Sequence, residues 1–271
     1  MKQTNYNHLS GMSSEKLEPY HQQGYLLHSF QLKTEEINAI LEAIEDLEKQ
    51  PKKALVYEEE SGAVRALHGC HLYNEVMERF TRHPDLLLPA IDFLKSEVYV
   101  YQFKINLKKA VDGKAWPWHQ DYTHWYKEDG LPSPRVVNVG IYLDDVDVDN
   151  GPLEVIPSSH LDGIITTQQL SAKGWNAHRR ADIRHGLSDK FLSDKREKLG
   201  HKYITGSAGM VFFMDGLLVH GSAANHSNRT RRLLIITYSA VDNQPTRLDD
   251  ARPDFLVARD YTPLSVHSSS L

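Results

Sequence analysis

From residue 98 onward the sequence repeats one kind of segment: short, rich in β-branched and aromatic residues, and closed by Gly, Pro, Asn or Asp. "VYVYQFKINLK", "RVVNVGIYLDD", "GPLEVIPSSH", "GMVFFMDGLLVHGS" and "RRLLIITYSAV" all read this way. No helical segment alternates regularly with them, whereas parallel strands need a long crossover, usually a helix, between each pair. The pattern therefore predicts antiparallel sheets, in a β-sandwich or a jelly-roll barrel. Within "VYVYQFKINLK" a simple alternation puts Tyr99, Tyr101, Phe103 and Ile105 on one face.

Helical periodicity is confined to the first third. "TEEINAILEAIEDLEKQ" places Ile37, Ile40, Leu41, Ile44 and Leu47 on one face, behind Thr34 as an N-cap. "NEVMERFTRHPDLLLPAIDFLK" is a second helical stretch, broken near His83-Pro84. One domain is expected: a helical N-terminal part over about 1–95, buttressing a jelly-roll core over about 96–245. The polar, partly helical segment 164–203 interrupts the strands, and its length suits a lid or substrate loop.

Bulk chemistry narrows the function. With 31 basic and 36 acidic residues the net charge is −5, and no basic stripe marks an element, which argues against a nucleic-acid partner. No apolar run reaches the ~20 residues that cross a bilayer, so no membrane partner is expected. The N-terminal stretch "MKQTNYNHLSGMSSEK" lacks the apolar centre of a secretory signal. A single cysteine, Cys70, excludes an internal disulfide framework and fits a reducing, cytoplasmic setting. Cys70 itself reads as a bland buried thiol, and a small-molecule substrate is the remaining expectation.

The chemistry concentrates in "AWPWHQDYTHWYKEDGLP", which holds three of the four tryptophans. His119 and Asp121 are spaced to share one face of an extended strand, a neutral nitrogen beside a carboxylate oxygen. By itself that spacing is weak evidence. A third ligand is available in His220, where "LLVH" runs into a turn of small residues. Two histidines and one carboxylate on one side of a metal leave open positions and suit non-haem Fe(II). Arg231, eleven residues further on, falls on the expected return strand. A buried arginine there needs an anion, and a 2-oxo diacid chelated at iron would present its far carboxylate. Ser222 is placed to help hold the same molecule. His68, His71, His124 and His226 read as structural or exposed, Trp116 and Trp118 as core packing, and Trp125 as a pocket wall.

The order "HQD…H…R" at 119, 121, 220 and 231 resembles the iron- and 2-oxoglutarate-dependent dioxygenases of the phytanoyl-CoA dioxygenase superfamily. "WHQDYTHWYKEDGLP", "NGPLEVIPSSH" and "HGSAAN" resemble its ectoine hydroxylases. "VRALHGCH", "VYVYQFKIN", "WPWHQDYTHW" and "ARPDFLVARDYTPL" are similar to its bacterial free-proline trans-4-hydroxylases, and the likeness spans roughly residues 18–264. The resemblance implies a double-stranded β-helix, cupin-like core with iron on His119, Asp121 and His220, and the distal carboxylate of 2-oxoglutarate on Arg231. It implies co-substrate support from Asn106 and Ser222, and substrate contacts from Gln102 and Trp125. Related halogenases carry a small residue in place of the carboxylate, so Asp121 points to hydroxylation.

The expected reaction consumes O2 and 2-oxoglutarate, hydroxylates an unactivated C–H bond, and releases succinate and CO2. A free amino acid, L-proline at its trans-4 position first, is the expected substrate. Its carboxylate would need a cation, with Arg65 and Lys104 as candidates, and its ammonium an acid, with Asp215 and Glu128. Tyr238 and Asn138 are candidates for inward hydrogen bonds. The alternatives are a tailoring hydroxylase of another amino acid, an ectoine-like compound or an alkaloid-like metabolite, a cupin-like binding module, and a hydrolytic zinc enzyme. The open triad with Arg231 disfavours the binding module, and the lack of a marked general base disfavours the hydrolase.

Overall fold

The computed structural model describes residues 12–50, 54–58, 61–111, 113–165, 168–169, 185–247 and 252–267. Helix α1 (Ser14–Gln23) ends at Gly24, whose left-handed backbone (φ 80°) lets its N–H reach Tyr20 O. Strand β1 (Tyr25–Gln31) follows, then α2 (Thr34–Glu48). The side chain of Glu36 in the first turn of α2 accepts from Lys33 N at 2.8 Å, and Ile37, Ile40, Ile44 and Leu47 are buried as their spacing predicts. Strands β2 (Leu55–Tyr57) and β3 (Val64–His68) precede α3 (Glu75–Phe80) and α4 (Pro84–Leu94). The break between α3 and α4 falls at His83-Pro84, where proline opens the second helix. The region before residue 96 thus contributes three strands to the fold as well as helices.

The remaining elements are β4 (Val98–Lys108), β5 (Trp116–His119), α5 (Asp121–Asp129), β6 (Val136–Tyr142), β7 (Leu153–Val155), β8 (Gln168–Gln169), β9 (His185–Gly186), α6 (Asp189–Leu199), β10 (Lys202–Ile204), β11 (Met210–Asp215), β12 (His220–Ser222) and β13 (Arg231–Ala240). Two antiparallel sheets carry the fold: a major one ordered β1-β11-β6-β13-β4-β3-β2 and a minor one ordered β10-β7-β12-β5. This is the jelly roll that the strand pattern implies. "GMVFFMDGLLVHGS" is not one strand. It turns at Asp215, whose carboxylate accepts from Leu217 N at 2.8 Å, and crosses from the major sheet as β11 to the minor sheet as β12. Residues 166–167 and 170–184 of the lid reading over 164–203 lie outside the described residues, while β8, β9 and α6 fall within it. Its far end, Lys202–Ile204, is β10 at the edge of the minor sheet.

The outer face of the major sheet packs on α2, α3 and α4 through Ile40, Phe80, Leu87, Phe103 and Ile105. Its inner face meets the minor sheet through Tyr142, Val155, Phe212, Leu233 and Ile235. Tyr99 and Tyr101 do not share a face with Phe103 and Ile105. A bulge in the β4–β13 ladder sets Gln102 opposite Thr237 and Val100 opposite Tyr238, leaving Tyr101 over. One extra residue flips the alternation. Val98, Val100, Phe103 and Ile105 therefore face the helices, while Tyr99 and Tyr101 join Tyr122, Trp125 and Leu256.

Gly140, at the centre of β6, is needed for close approach. A Cβ there would lie 2.1 Å from the Phe212 ring on the neighbouring strand. Gly140→Ala is expected to push Phe212 into the space between the sheets and lower stability by about 1–3 kcal/mol. Urea unfolding followed by circular dichroism checks it; an unchanged midpoint would show that the ring has room to yield.

Candidate active site

The pairing of β12 with β5 sets His220 directly opposite His119, with ring centroids 4.2 Å apart. Each imidazole is oriented by its own backbone: His119 Nδ1 donates to Pro117 O at 2.8 Å, and His220 Nδ1 to Leu218 O at 2.9 Å. Those bonds fix the protons on Nδ1 and leave both Nε2 lone pairs free for a metal. Asp121 completes the group, with 3.4 Å from His119 Nε2 to Oδ1 and 3.8 Å from His220 Nε2 to Oδ2. One ligand atom from each residue lies within 4.8 Å of the other two.

Asp121 does not share a strand with His119. The chain leaves β5 at His119 and Asp121 is the first residue of α5, so a strand-to-helix turn aims the carboxylate. Gln120 locks that turn. Its amide donates to Gly163 O (2.9 Å) and Leu217 O (2.6 Å) and accepts from Thr123 Oγ1 (2.8 Å) and Ile165 N (3.0 Å). Asn138 donates to Asp121 Oδ2 at 2.9 Å, its own orientation set by Thr237 Oγ1 donating at 2.6 Å. Lys104 Nζ lies 3.5 Å from Asp121 Oδ1.

Electrostatics suit a divalent cation. Burial alone would raise the Asp121 carboxyl, but Lys104 and the two flanking histidines hold it well below the usual range. Burial, reinforced by His119, pushes His220 down to about 3 against the pull of Asp121, so the ring is a neutral ligand. Two imidazole nitrogens and one carboxylate on one side of a cavity form a donor set suited to Fe(II), with the other side left open.

The cavity runs between the sheets from this group to Arg231. Arg231 is buried, and Nε and Nη2 both donate to Gly151 O at 3.1 and 2.9 Å, while Nη1 has no partner among the described residues. Burial lowers this guanidinium to about 10, which leaves it charged and one donor short of an acceptor. Lys108, buried and directly across the β4–β13 ladder, donates to Ala223 O. Burial and the charges of Arg231 and Arg65 bring its ammonium down to about 6. This end of the cavity is built for an anion.

Of the residues singled out in the sequence, Gln102, Lys104, Asn106, Trp125, Ser222 and Arg231 line this cavity together with the triad. Arg65 does not. It lies beneath the Trp116 ring at 4.0 Å, bonded to Glu58 (2.7 Å) and Ala115 O (3.0 Å). A buried guanidinium needs its own acid, and Glu58 already satisfies it. Asp215, Glu128 and Tyr238 also lie outside the lining; Tyr238 faces the helices and donates to Thr81 O at 2.9 Å. Trp118 packs as expected, under Arg196 at 4.3 Å, whereas Trp116 lines the cavity instead of the core.

Several residues at the site carried no sequence signal of their own. Gln120 and Lys108 are two. Arg252 and Leu256 reach the cavity from the C-terminal segment, and Arg252 is held by Asp129 at 2.7 and 2.5 Å. His124 and His68 also line it, as cavity walls rather than ligands.

A jelly roll with two histidines and an aspartate at one end of its cavity, and a buried arginine at the other, defines a class: the 2-oxoglutarate-dependent non-haem iron dioxygenases. The phytanoyl-CoA dioxygenase (PhyH) family model matches residues 20–233. The chain is 39% identical over 249 residues to the L-proline trans-4-hydroxylase of Streptomyces griseoviridis, covering 90% of this chain and 92% of that protein. It is 30% identical over 256 residues to the ectoine dioxygenase of Bordetella bronchiseptica, covering 92% and 83%. The crystal structure of EctD from S. alaskensis with 2-oxoglutarate and 5-hydroxyectoine superposes with a TM-score of 0.82 at 25% identity, over 98% of this chain and 90% of that one. The chain belongs to the phytanoyl-CoA dioxygenase family and is an iron- and 2-oxoglutarate-dependent dioxygenase.

Gln120→Ala would strand the groups its amide satisfies, at about 1–3 kcal/mol for each buried group left unmade, and would loosen the turn that aims Asp121. Lower thermal stability together with weaker Mn(II) binding by calorimetry is expected. Unchanged Mn(II) affinity would show that α5 holds Asp121 without it.

Proposed function

We propose that this enzyme hydroxylates an unactivated C–H bond of a small free amino acid, L-proline at its trans-4 carbon first, converting 2-oxoglutarate and O2 to succinate and CO2. The observation that carries the reading is the 39% identity to an L-proline trans-4-hydroxylase over nearly the full length of both chains. It is supported by a cavity that offers both ends of a chelated 2-oxo diacid a partner. His119, Asp121 and His220 hold the iron, and Arg231 takes the distal carboxylate, with Asn106 and Ser222 beside it. The bound iron supplies O2 activation coupled to decarboxylation of the co-substrate.

Everything else falls to the protein. Lys104 and Asn138 keep Asp121 ionised and aimed. Trp125, only 2% exposed, walls the cavity and packs edge-on against Tyr101 at 5.1 Å between centroids. Gln102 donates to Leu256 O at 2.9 Å. That bond fixes its amide, so the remaining carbonyl oxygen is an acceptor suited to a substrate N–H. Lys104 is the candidate cation on the same face as Gln102 and offers a counter-charge for the amino-acid carboxylate. Burial of the lining excludes water from the reacting C–H.

A second reading is an ectoine-type substrate, favoured by the 30% identity to an ectoine dioxygenase and by the fit to EctD. Both compounds are small rings bearing a carboxylate, so the reaction class is unaffected. We place the enzyme in the cytoplasm, a setting supported by its lone, buried Cys70.

The test is turnover of free L-proline, other cyclic amino acids and ectoine by the Fe(II)-loaded enzyme, followed by mass spectrometry. A gain of one oxygen on L-proline, with succinate formed in step, is expected. Oxidation of ectoine alone would favour the second reading, and no product from any amine-carboxylate would sink both. Asp121→Ala is expected to abolish succinate formation and hydroxylation together; retained hydroxylation would contradict the triad.

A further inference from the structure

Trp116 departs from what strand alternation allows. With His119 facing the cavity, an unbroken strand would turn Trp116 outward with Trp118. Instead the β5–β12 ladder carries an irregularity: His119 pairs with His220 but Trp116 pairs with Ser222, so three steps on β5 match two on β12. The extra residue falls at Pro117-Trp118, where proline has no N–H to contribute to the ladder. The result returns Trp116 to the cavity face while Trp118 stays outside, its ring against Gly221.

The ring is held from behind. Arg65 lies 4.0 Å from its centroid and is itself fixed by Glu58 and Ala115 O. Such a stack, out of water, orients the indole plane. Register places it along the cavity. Ala66 pairs with Asn106, so Arg65 lies one step further toward Lys108, and Lys108 is directly opposite Arg231. Trp116 therefore sits toward the Arg231 end, opposite Ser222 and away from the histidines.

At that end the indole Nε1 is buried and has no acceptor among the described residues, and the same holds for Arg231 Nη1. Leaving a buried donor unmade costs about 1–3 kcal/mol. Two such donors on the wall of one cavity are satisfied together by a carboxylate, which has two oxygens and about four lone-pair sites. We propose that Trp116 is a co-substrate-positioning residue, its indole N–H donating to the distal carboxylate of 2-oxoglutarate beside Arg231, with Arg65 holding the ring. The inference rests on the assignment of Arg231 to that carboxylate.

Trp116→Phe keeps an aromatic ring over Arg65 and removes only the N–H. The measurement is an anaerobic titration of the Fe(II)-loaded enzyme, read by the visible charge-transfer band of the chelated 2-oxo acid. Two probes are used: 2-oxoglutarate, and 2-oxopentanoate, which lacks the distal carboxylate. Expected for Trp116→Phe is a roughly ten- to hundredfold weaker Kd for 2-oxoglutarate, the loss of one charge-assisted hydrogen bond. Its Kd for 2-oxopentanoate, its Fe(II) affinity and the KM for the hydroxylated substrate should stay as in the wild type.

An unchanged Kd for 2-oxoglutarate overturns the proposal. So does an equal loss for both 2-oxo acids, which would mean that the indole packs the chelating end. Arg231→Met separates this from failure of the underlying reading. If Arg231→Met binds 2-oxoglutarate as well as the wild type, the Arg231 assignment fails. If it weakens binding while Trp116→Phe does not, only the role of Trp116 fails.

Discussion

The site depends on one strand pairing. β12 is three residues long, yet it is hydrogen-bonded on both sides, to β5 and to β7. That pairing brings His220 opposite His119 from a hundred positions away. A strand that short is poorly specified by its own residues. It is placed by the turn at Asp215, which hands the chain from the major to the minor sheet. The turn also feeds the site: Gly216 O accepts from Tyr122 N at the start of α5, and Leu217 O accepts from Gln120. One crossing thus positions His220 directly and Asp121 through α5. The three side chains are held to each other by backbone geometry.

Charge is arranged along the cavity in two separated groups. At the metal end, Asp121 has two imidazoles and Lys104 for company, so a divalent cation adds to a site already carrying an anion. At the far end the buried guanidiniums of Arg65 and Arg231, alongside Lys108, have Glu58, Glu154 and Asp144 as nearby acids, and Asp144 is paired with Arg232. Glu58 is committed to Arg65, and Glu154 lies 3.7 Å from Arg196. An uncompensated buried cation is costly, and here the imbalance points into the cavity. A co-substrate with a carboxylate at each end resolves both groups at once, which is why a monoacid would be a poorer fit than a diacid.

Much of this was legible in the chain. The run of short strands predicts antiparallel sheets, and "HQD", His220 and Arg231 supply the triad and the cation because residue type and chain order carry that information. What alternation could not supply is where alternation breaks. The bulge at Tyr101 separates Tyr99 and Tyr101 from Phe103 and Ile105, and the one at Pro117-Trp118 turns Trp116 inward. Asp121 was expected on a strand and lies at a helix start. Each of these breaks adjoins the site, because a bulge or a strand-to-helix turn re-aims a side chain that a regular strand would misdirect. Arg65 eludes the sequence for a different reason. Its partner Glu58 lies seven residues before it, just past the end of β2, and nothing in the sequence says that the two meet.

The end of the cavity opposite Arg231 is built differently from the Arg231 end, from elements remote in sequence. Tyr101 and Arg252 both bond to Asp129 at the end of α5, and Gln102 reaches Leu256 O. The C-terminal segment is further pinned where Ala258 N donates to Tyr101 O at 3.1 Å and Leu264 N to Val98 O at 2.9 Å. This segment therefore runs along the end of β4 where the bulge lies, and closes the cavity opposite Arg231. The Arg231 end, formed by β4, β12 and β13, is fixed by sheet register. The opposite end is fixed by side-chain bonds between β4, α5 and a segment without regular secondary structure. Such contacts can be exchanged without disturbing the ladders. Within one family, then, a constant iron and 2-oxoglutarate chemistry is compatible with substrates as different as proline and ectoine.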